Sequence, residues 1–367
     1  MNEEKEYLAP DYYPEFACKM GACRTCCCVG WTVSLSMQDY FNLLGVDCEK
    51  SLHDRLDVAM RPALEPSPEH YAEIQHRYDG NCPLRLEDGR CAVHAQLGPE
   101  HLPEICRLYP RALRDEGDAE CSCACSCERV VEMLLAHDGP LHFEKIHIND
   151  APPHAQGSTV FRERFENEQA VRLGLIGIVQ DGTRPLPERL QHLGLEMARL
   201  EHGTAPAFDP AAVPDRKAAL KAAEKLVDML DERSESLRPF GETVRGYFGE
   251  DASLFERARA RFEERFPDWE NGYACLLANH MFFTRFPYSN PGETLQPEHA
   301  ALCSVYALMR LLAIGYTAAN ESSEALVDVL SALFRLVDHS SFHHYAAVML
   351  QEIGFAAPEC LAALTEL

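Results

Sequence analysis

The chain has 367 residues, enough for one large or two ordinary domains with apolar cores. With 46% hydrophobic and 25% charged residues its composition is that of a soluble globular protein, and a formal charge of −24 (34 basic against 58 acidic residues) lacks the basic footprint that nucleic acid or an anionic membrane demands. No basic segment followed by an apolar one opens the chain, and no apolar run of about 18 residues is evident, the greasiest stretch being Tyr273 to Phe286, so the sequence predicts a cytoplasmic protein.

Thirteen of the 16 cysteines lie at or before Cys127, and five fall between Cys18 and Cys28. Cytoplasmic thiols stay reduced, so this density points to metal before disulfides. After the block, residues 36 to 46 read as a short helix capped by Ser34 or Ser36, and 49 to 60 and 69 to 77 as two more. Two short apolar runs flank Asp88-Gly89, which predicts a hairpin with Cys82 and Cys91 at its mouth. Residues 93 to 109 read as two helical pieces broken at Gly98-Pro99, with Arg111 on the turn that leaves them. Alternation at period two makes 120 to 127 a strand carrying Cys121, Cys123, Cys125 and Cys127 on one face. A helix follows from Glu128 to Ala136.

From about residue 155 the pattern is helical, with segments at Asp215–Glu232, Glu250–Phe266, Tyr273–Phe286, Pro297–Ile314 and Ser322–Val337, and with connections at 203 to 214 and 287 to 297. The expected architecture is mainly α: a small Cys-rich metal-binding module with a short β-hairpin over 1–150, then a large helical domain over 151–367.

Three chemistries suit the thiols. Structural zinc takes four ligands in tetrahedral array, and Cys23, Cys26, Cys82 and Cys91 supply them. An iron–sulfur cluster takes thiolates from several chain segments, which is the pattern here. Thiol redox chemistry takes a CxxC, which Cys23 and Cys26 form. Cys48, Cys275, Cys303 and Cys360 stand alone and read as small buried apolar residues. Adjacent His343 and His344 point about 100° apart on a helix, so a core or surface role suits them better than ligation. No GxGxG-type loop follows a strand, so the usual Rossmann donor pocket is absent, Gly174 and Gly177 lying in a helical stretch.

The block, with Tyr13 and Phe16 before it and Gly30-Trp31 after it, resembles the opening of the flagellin lysine N-methylases, the FliB family. The order of Cys82-Pro83, Cys91, Gly98-Pro-Glu100, Cys106-Arg107, Tyr109-Pro110-Arg111 and Cys127-Glu128 is similar, as is the stretch 282–289. Cys26, Cys121, Cys123 and Cys125 occupy positions that are usually not cysteine in that family.

The resemblance implies transfer of a methyl group from S-adenosylmethionine to lysine ε-amines of flagellin, with a [4Fe-4S] cluster. It maps the family cysteines onto Cys18, Cys23, Cys27, Cys28, Cys82, Cys91, Cys106 and Cys127. For the chemistry, Trp31 and Tyr109 are candidates to face the sulfonium, Arg107 and Arg111 to pair with the donor's carboxylate, and Tyr109 to assist deprotonation of the lysine. The alternatives are a zinc-stapled adaptor without chemistry and a thiol oxidoreductase.

Overall fold

The computed structural model describes residues 5–24, 27–114, 118–148, 167–248, 252–288 and 294–367. Its front part contains β1 (Lys5–Pro10), β2 (Val33–Leu35), α1 (Met37–Leu44), α2 (Lys50–Ala59), β3 (Met60–Pro62), β4 (Ala72–Ile74), α3 (Ala92–Leu97), α4 (Glu104–Leu108), β5 (Arg111–Arg114), β6 (Glu120–Cys123), α5 (Glu128–Leu135) and β7 (Phe143–Ile148). Ten helices follow: α6 (Glu168–Val179), α7 (Leu186–His202), α8 (Arg216–Arg233), α9 (Arg238–Phe248), α10 (Ala252–Arg265), α11 (Trp269–Phe283), α12 (Leu295–Ala319), α13 (Ala325–Val337), α14 (Phe342–Glu352) and α15 (Pro358–Thr365). The protein is therefore mainly helical, as its periodicity predicts.

The helical part is built around α12, against which α7, α8, α9, α10, α13, α14 and α15 pack. This helix corrects the reading of Tyr273–Phe286 as the greasiest run. Its 25 residues are long and apolar enough to cross a membrane by composition, yet 94% of its most apolar window is buried inside the fold. Buried Glu298, His299 and Arg310 interrupt the apolar run, which is why it does not stand out in the sequence. The Arg310 guanidinium lies 3.8 Å from the Trp269 ring centroid and reaches Glu263 Oε1 at 2.9 Å, so its charge is paired rather than stranded.

Two sheets escape the sequence reading. One has the order β5-β6-β1-β7, with β1 parallel to β6 and antiparallel to β7. It shares one apolar cluster with α5 and the helices, from Tyr7 through Leu134 to Leu364. The other has the order β2-β4-β3, and with Leu43, Leu52, Leu56, Leu84 and Val93 it forms a second cluster.

Several local expectations change. The stretch 69–77 is not a helix but contains β4, whose Ala72 and Ile74 point into the small core. The Asp88-Gly89 turn exists, with Gly89 at φ +86°, but it carries only a bridge between Arg85 and Cys91 rather than a two-stranded hairpin. The strand of alternating cysteines stops at Cys123, and Cys125 and Cys127 lie on the turn into α5. Ser122 and Ser126 are as buried as their cysteine neighbours, so the alternation does not sort a wet face from a dry one. Arg111 opens β5 instead of sitting on a turn. Ser36 is the N-cap of α1, accepting from Asp39 N at 3.0 Å.

Candidate functional site

The cysteine block has almost no regular structure of its own, so its neighbours position it. Cys82 N donates to Cys28 O at 2.9 Å, and Gly30 N to Gly80 O at 3.1 Å, pinning the end of the block to the strand-like run before Cys82. Its start is held by charge. The Glu128 carboxylate, wholly buried at the start of α5, accepts from Lys19 Nζ at 2.6 Å and from Arg24 N at 2.8 Å, and Arg24 Nε reaches Asp328 Oδ1 on α13 at 2.8 Å.

These constraints sort the eight family-type cysteines into two neighbourhoods. Around Cys106 stand Cys91, Cys27 and Cys82; dense surrounding atoms push its thiol well up, and those three sulfurs push the same way. Cys28 Sγ lies 4.0 Å from Cys27 Sγ. The second group is Cys18, Cys23 and Cys127. Burial pushes the Cys23 thiol up to about 12, with Glu128 and Cys127 acting in the same direction. Burial also raises Cys127, against the N–H groups of Val130 and Arg129 at the head of α5. Like charges at such spacing cannot all ionise unaided, so each group is a set of neutral thiols unless a cation offsets it.

The first group suits a polynuclear centre by its chemistry. Four thiols arrive from three chain segments (the block, the Cys82–Cys91 turn and α4), a donor pattern that an iron–sulfur cluster can use. Zinc takes thiolates as well, and among the described residues no group of three or more His, Cys, Asp or Glu side chains is gathered closely enough to hold a metal ion. Cys26 lies outside the described residues, so its part in a CxxC is not defined.

Tyr109 sits between the two thiol groups. Burial raises its hydroxyl strongly, and Cys127 and Cys27 both add to the effect. The phenol therefore stays protonated, and it shares a hydrogen bond with Ser126 Oγ at 3.1 Å. Ser126 Oγ in turn meets His339 Nε2 at 2.7 Å. Burial lowers the His339 pKa, so the ring is neutral near pH 7. Trp31 closes this corner, with its ring centroid 5.1 Å from that of Tyr109 and 5.3 Å from that of His339.

Behind the corner lies a second polar layer. Asp338, almost fully buried, accepts from Cys125 N at 2.7 Å and holds His280 Nδ1 at 2.8 Å. Tyr12 OH donates to Asn279 Oδ1 at 2.6 Å and accepts from Cys123 N at 3.1 Å, while Asn279 Nδ2 reaches Cys125 Sγ at 3.1 Å. Cys123 and Cys125 are thus fixed in the interior by a satisfied network.

The two arginines part company. Arg111 donates to Phe16 O at 2.9 Å and stacks over Phe16 at 4.7 Å, which commits it to holding the chain before the block. Arg107 is exposed on α4 and has no side-chain partner among the described residues. Sequence reasoning missed Ser126, His339, Asp338 and Asn279. Ser126 is hidden among cysteines, and His339 and Asp338 follow α13 with no periodic signal.

The chain is similar to known proteins over part of its length. The family profile described as the FliB lysine N-methylase C-terminal domain matches residues 212–364, the part that supplies α13, Asp338 and His339. Over that segment the chain is similar to the FliB lysine N-methylases. It is 28% identical over 131 residues to a lysine-N-methylase of Salmonella typhimurium, covering 34% of this chain and 31% of that protein, and shows the same identity and coverage with one from Salmonella choleraesuis. It is 27% identical over 131 residues to the flagellar biosynthetic protein FliU of Salmonella muenchen, covering 34% of this chain and 75% of that protein. The match thus spans about a third of the length of the two curated methylases. No solved structure matches the chain.

Proposed function

We propose that this FliB-type protein methylates lysine ε-amines of flagellin in the cytoplasm, with S-adenosylmethionine as donor. The observation that supports it most directly is that His339, from the segment matched to the FliB C-terminal domain, meets Trp31 and Tyr109 of the cysteine-bearing front part. The family-type segment and the family-type cysteines thus share one corner.

An ammonium has no lone pair, so the substrate lysine must first lose a proton. In this reading the proton passes to the Tyr109–Ser126–His339 chain and rests on His339, beside the Asp338 carboxylate. The amine lone pair then forms a bond to the donor's methyl carbon as the carbon–sulfur bond breaks, and the sulfur keeps the electron pair. Trp31, 36% exposed, faces the sulfonium, and Arg107 pairs with the donor's carboxylate. Cys27, Cys82, Cys91 and Cys106 would hold a [4Fe-4S] cluster, with Cys28 adjacent and Cys18, Cys23 and Cys127 forming a separate triplet. Such a cluster would tie those chain segments to one centre and would supply thiolate-bound iron at the site.

The test is anaerobic reconstitution with iron and sulfide, incubation with flagellin and S-adenosylmethionine, and mass spectrometry of the flagellin lysines. A methyl increment on lysine that falls at least about tenfold in rate in His339→Gln and Ser126→Ala supports the reading. No methyl increment sinks it, and zinc without iron or acid-labile sulfide favours the adaptor alternative.

A further inference from the structure

The thiol corner is not the only built feature of the fold. Between α7, α12, α15 and the loop after α7 lies a cavity of about 300 Å³. Leu195, Met197, Ala198, Phe208 and Leu361 give it an apolar lining, and the His299 ring also faces it. A cavity of this size matches the lower end of small-molecule sites, which combine an apolar wall with a few fixed polar groups.

The histidine is seated with care. A Cβ on Gly194 would stand 2.3 Å from His299 Cε1, so α7 has a notch that the imidazole occupies. Nε2 lies 2.8 Å from Leu190 O, which can only accept, so Nε2 carries the proton. Cys303 Sγ sits 3.4 Å from the same nitrogen. Burial lowers the His299 pKa, and the neutral ring is left with a lone pair on Nδ1 that has no partner among the described residues. His299 is 9% exposed, so this is a nearly buried acceptor on an apolar wall.

The charges nearby limit what fits. Among the described residues no lysine or arginine lines the cavity, and His202, which does, has Glu201 Oε2 3.8 Å from its Nε2, so a carboxylate or phosphate finds no fixed counter-charge. Glu201 does line it, and its Oε2 is occupied by Leu295 N at 2.9 Å. Anions are therefore disfavoured, and so is the zwitterionic end of an amino-acid-bearing methyl donor.

We propose that this cavity binds a small, uncharged, largely apolar molecule bearing one hydrogen-bond donor, of the aryl alcohol class, with the donor on His299 Nδ1. The inference is independent of the methylation reading.

Fluorescence titration of the full chain with 2-naphthol tests it, beside 2-methoxynaphthalene, which has the same body without the donor. The expected result is saturable one-site binding of 2-naphthol and at least about fivefold weaker binding of the methyl ether, since the ether leaves the acceptor unmet. Ala198→Phe fills the space and abolishes both. Leu195→Trp, at another half-buried position, does the same if the first variant does not fold by circular dichroism. His299→Leu equalises the two ligands. No saturable binding of 2-naphthol, equal binding of the two probes to the unaltered chain, or binding unchanged in the filled variants overturns the proposal.

Discussion

Gly21 and Gly89 lie backbone against backbone. A Cβ on Gly21 would stand 2.6 Å from Gly89 C, and one on Gly89 would stand 2.5 Å from Gly21 O; both residues have positive φ, +97° and +86°. The contact brings the cysteine block onto the turn between Cys82 and Cys91, so two distant segments share one face.

Gly21→Ala and Gly89→Ala each combine a disfavoured φ with a backbone clash. Each is expected to cost about 2–4 kcal/mol or to part the two segments. Urea unfolding gives the first number, and faster proteolysis within 18–30 reports the second. Stability and cleavage like those of the unaltered chain contradict the contact.

Tyr12→Phe removes one hydroxyl that serves Cys123 N and Asn279 Oδ1 in the interior. Stranding those two groups is expected to cost about 1–3 kcal/mol, read from chemical denaturation. Tyr13→Phe is a milder control, because the Tyr13 hydroxyl meets the Cys121 thiol, a weak partner, rather than a backbone N–H and an amide oxygen.

His343 has its pKa pushed down to about 4, first by burial and then by His280 and His344, and its Nδ1 has no partner. The unfolded ring takes up a proton near pH 6.5, whereas the folded ring resists until about pH 4. Below pH 6.5 the unfolded chain therefore binds more protons, and stability falls as pH falls through that window. His343→Gln lacks this loss. The stability difference between the two proteins is expected to shift by about 2–3 kcal/mol between pH 7 and pH 4. A constant difference across that range rules the assignment out.

Glu128→Gln leaves Lys19 with Glu132 alone and removes the charge that Arg24 also meets. Because both cations are partly exposed, the expected cost is about 1–2 kcal/mol, below that of a fully buried pair. Thermal unfolding in low and high salt measures it, and the cost is expected to shrink in high salt.

Cys106→Ser is expected to lower bound iron after reconstitution, whereas Cys360→Ser, at the far end of the helical part, leaves it unchanged. Iron and sulfide analysis with the visible absorption spectrum decides between them. Equal iron in both variants removes Cys106 from the ligand set.

The helical part was legible because its apolar residues recur at 3.6-residue spacing over long runs: α8, α10, α11 and α13 lie close to where the pattern puts them. The sheets were not: in β7 only Ile146-His147-Ile148 alternate, and Phe143 is out of step with them. Its partner β1 lies far earlier in the chain, Lys5 pairing with Ile148 and Pro10 with Phe143, and pairing over that distance leaves no local mark. Ala72 and Ile74 sit at period two, but a strand of three residues is too short for that spacing to stand out from a helical turn. The cysteines pointed to a site, but their partition depends on Glu128, Gly21 and Gly89, whose roles appear only when separate segments meet. His339 is a lone histidine after a helix, and only its ring contacts give it a part.

The helix α13 carries a further consequence. Asp328 near its start grips Arg24 of the cysteine block, while Asp338 and His339 just beyond its end meet Cys125 and Trp31. Ten residues of helix span ~15 Å, so α13 works as a gauge block that sets the distance between two grips on the front part. Inserting one residue into it would advance the far grip by ~1.5 Å and turn it by ~100°. Substitutions along its surface are cheap by comparison, and its length is the property the front part depends on.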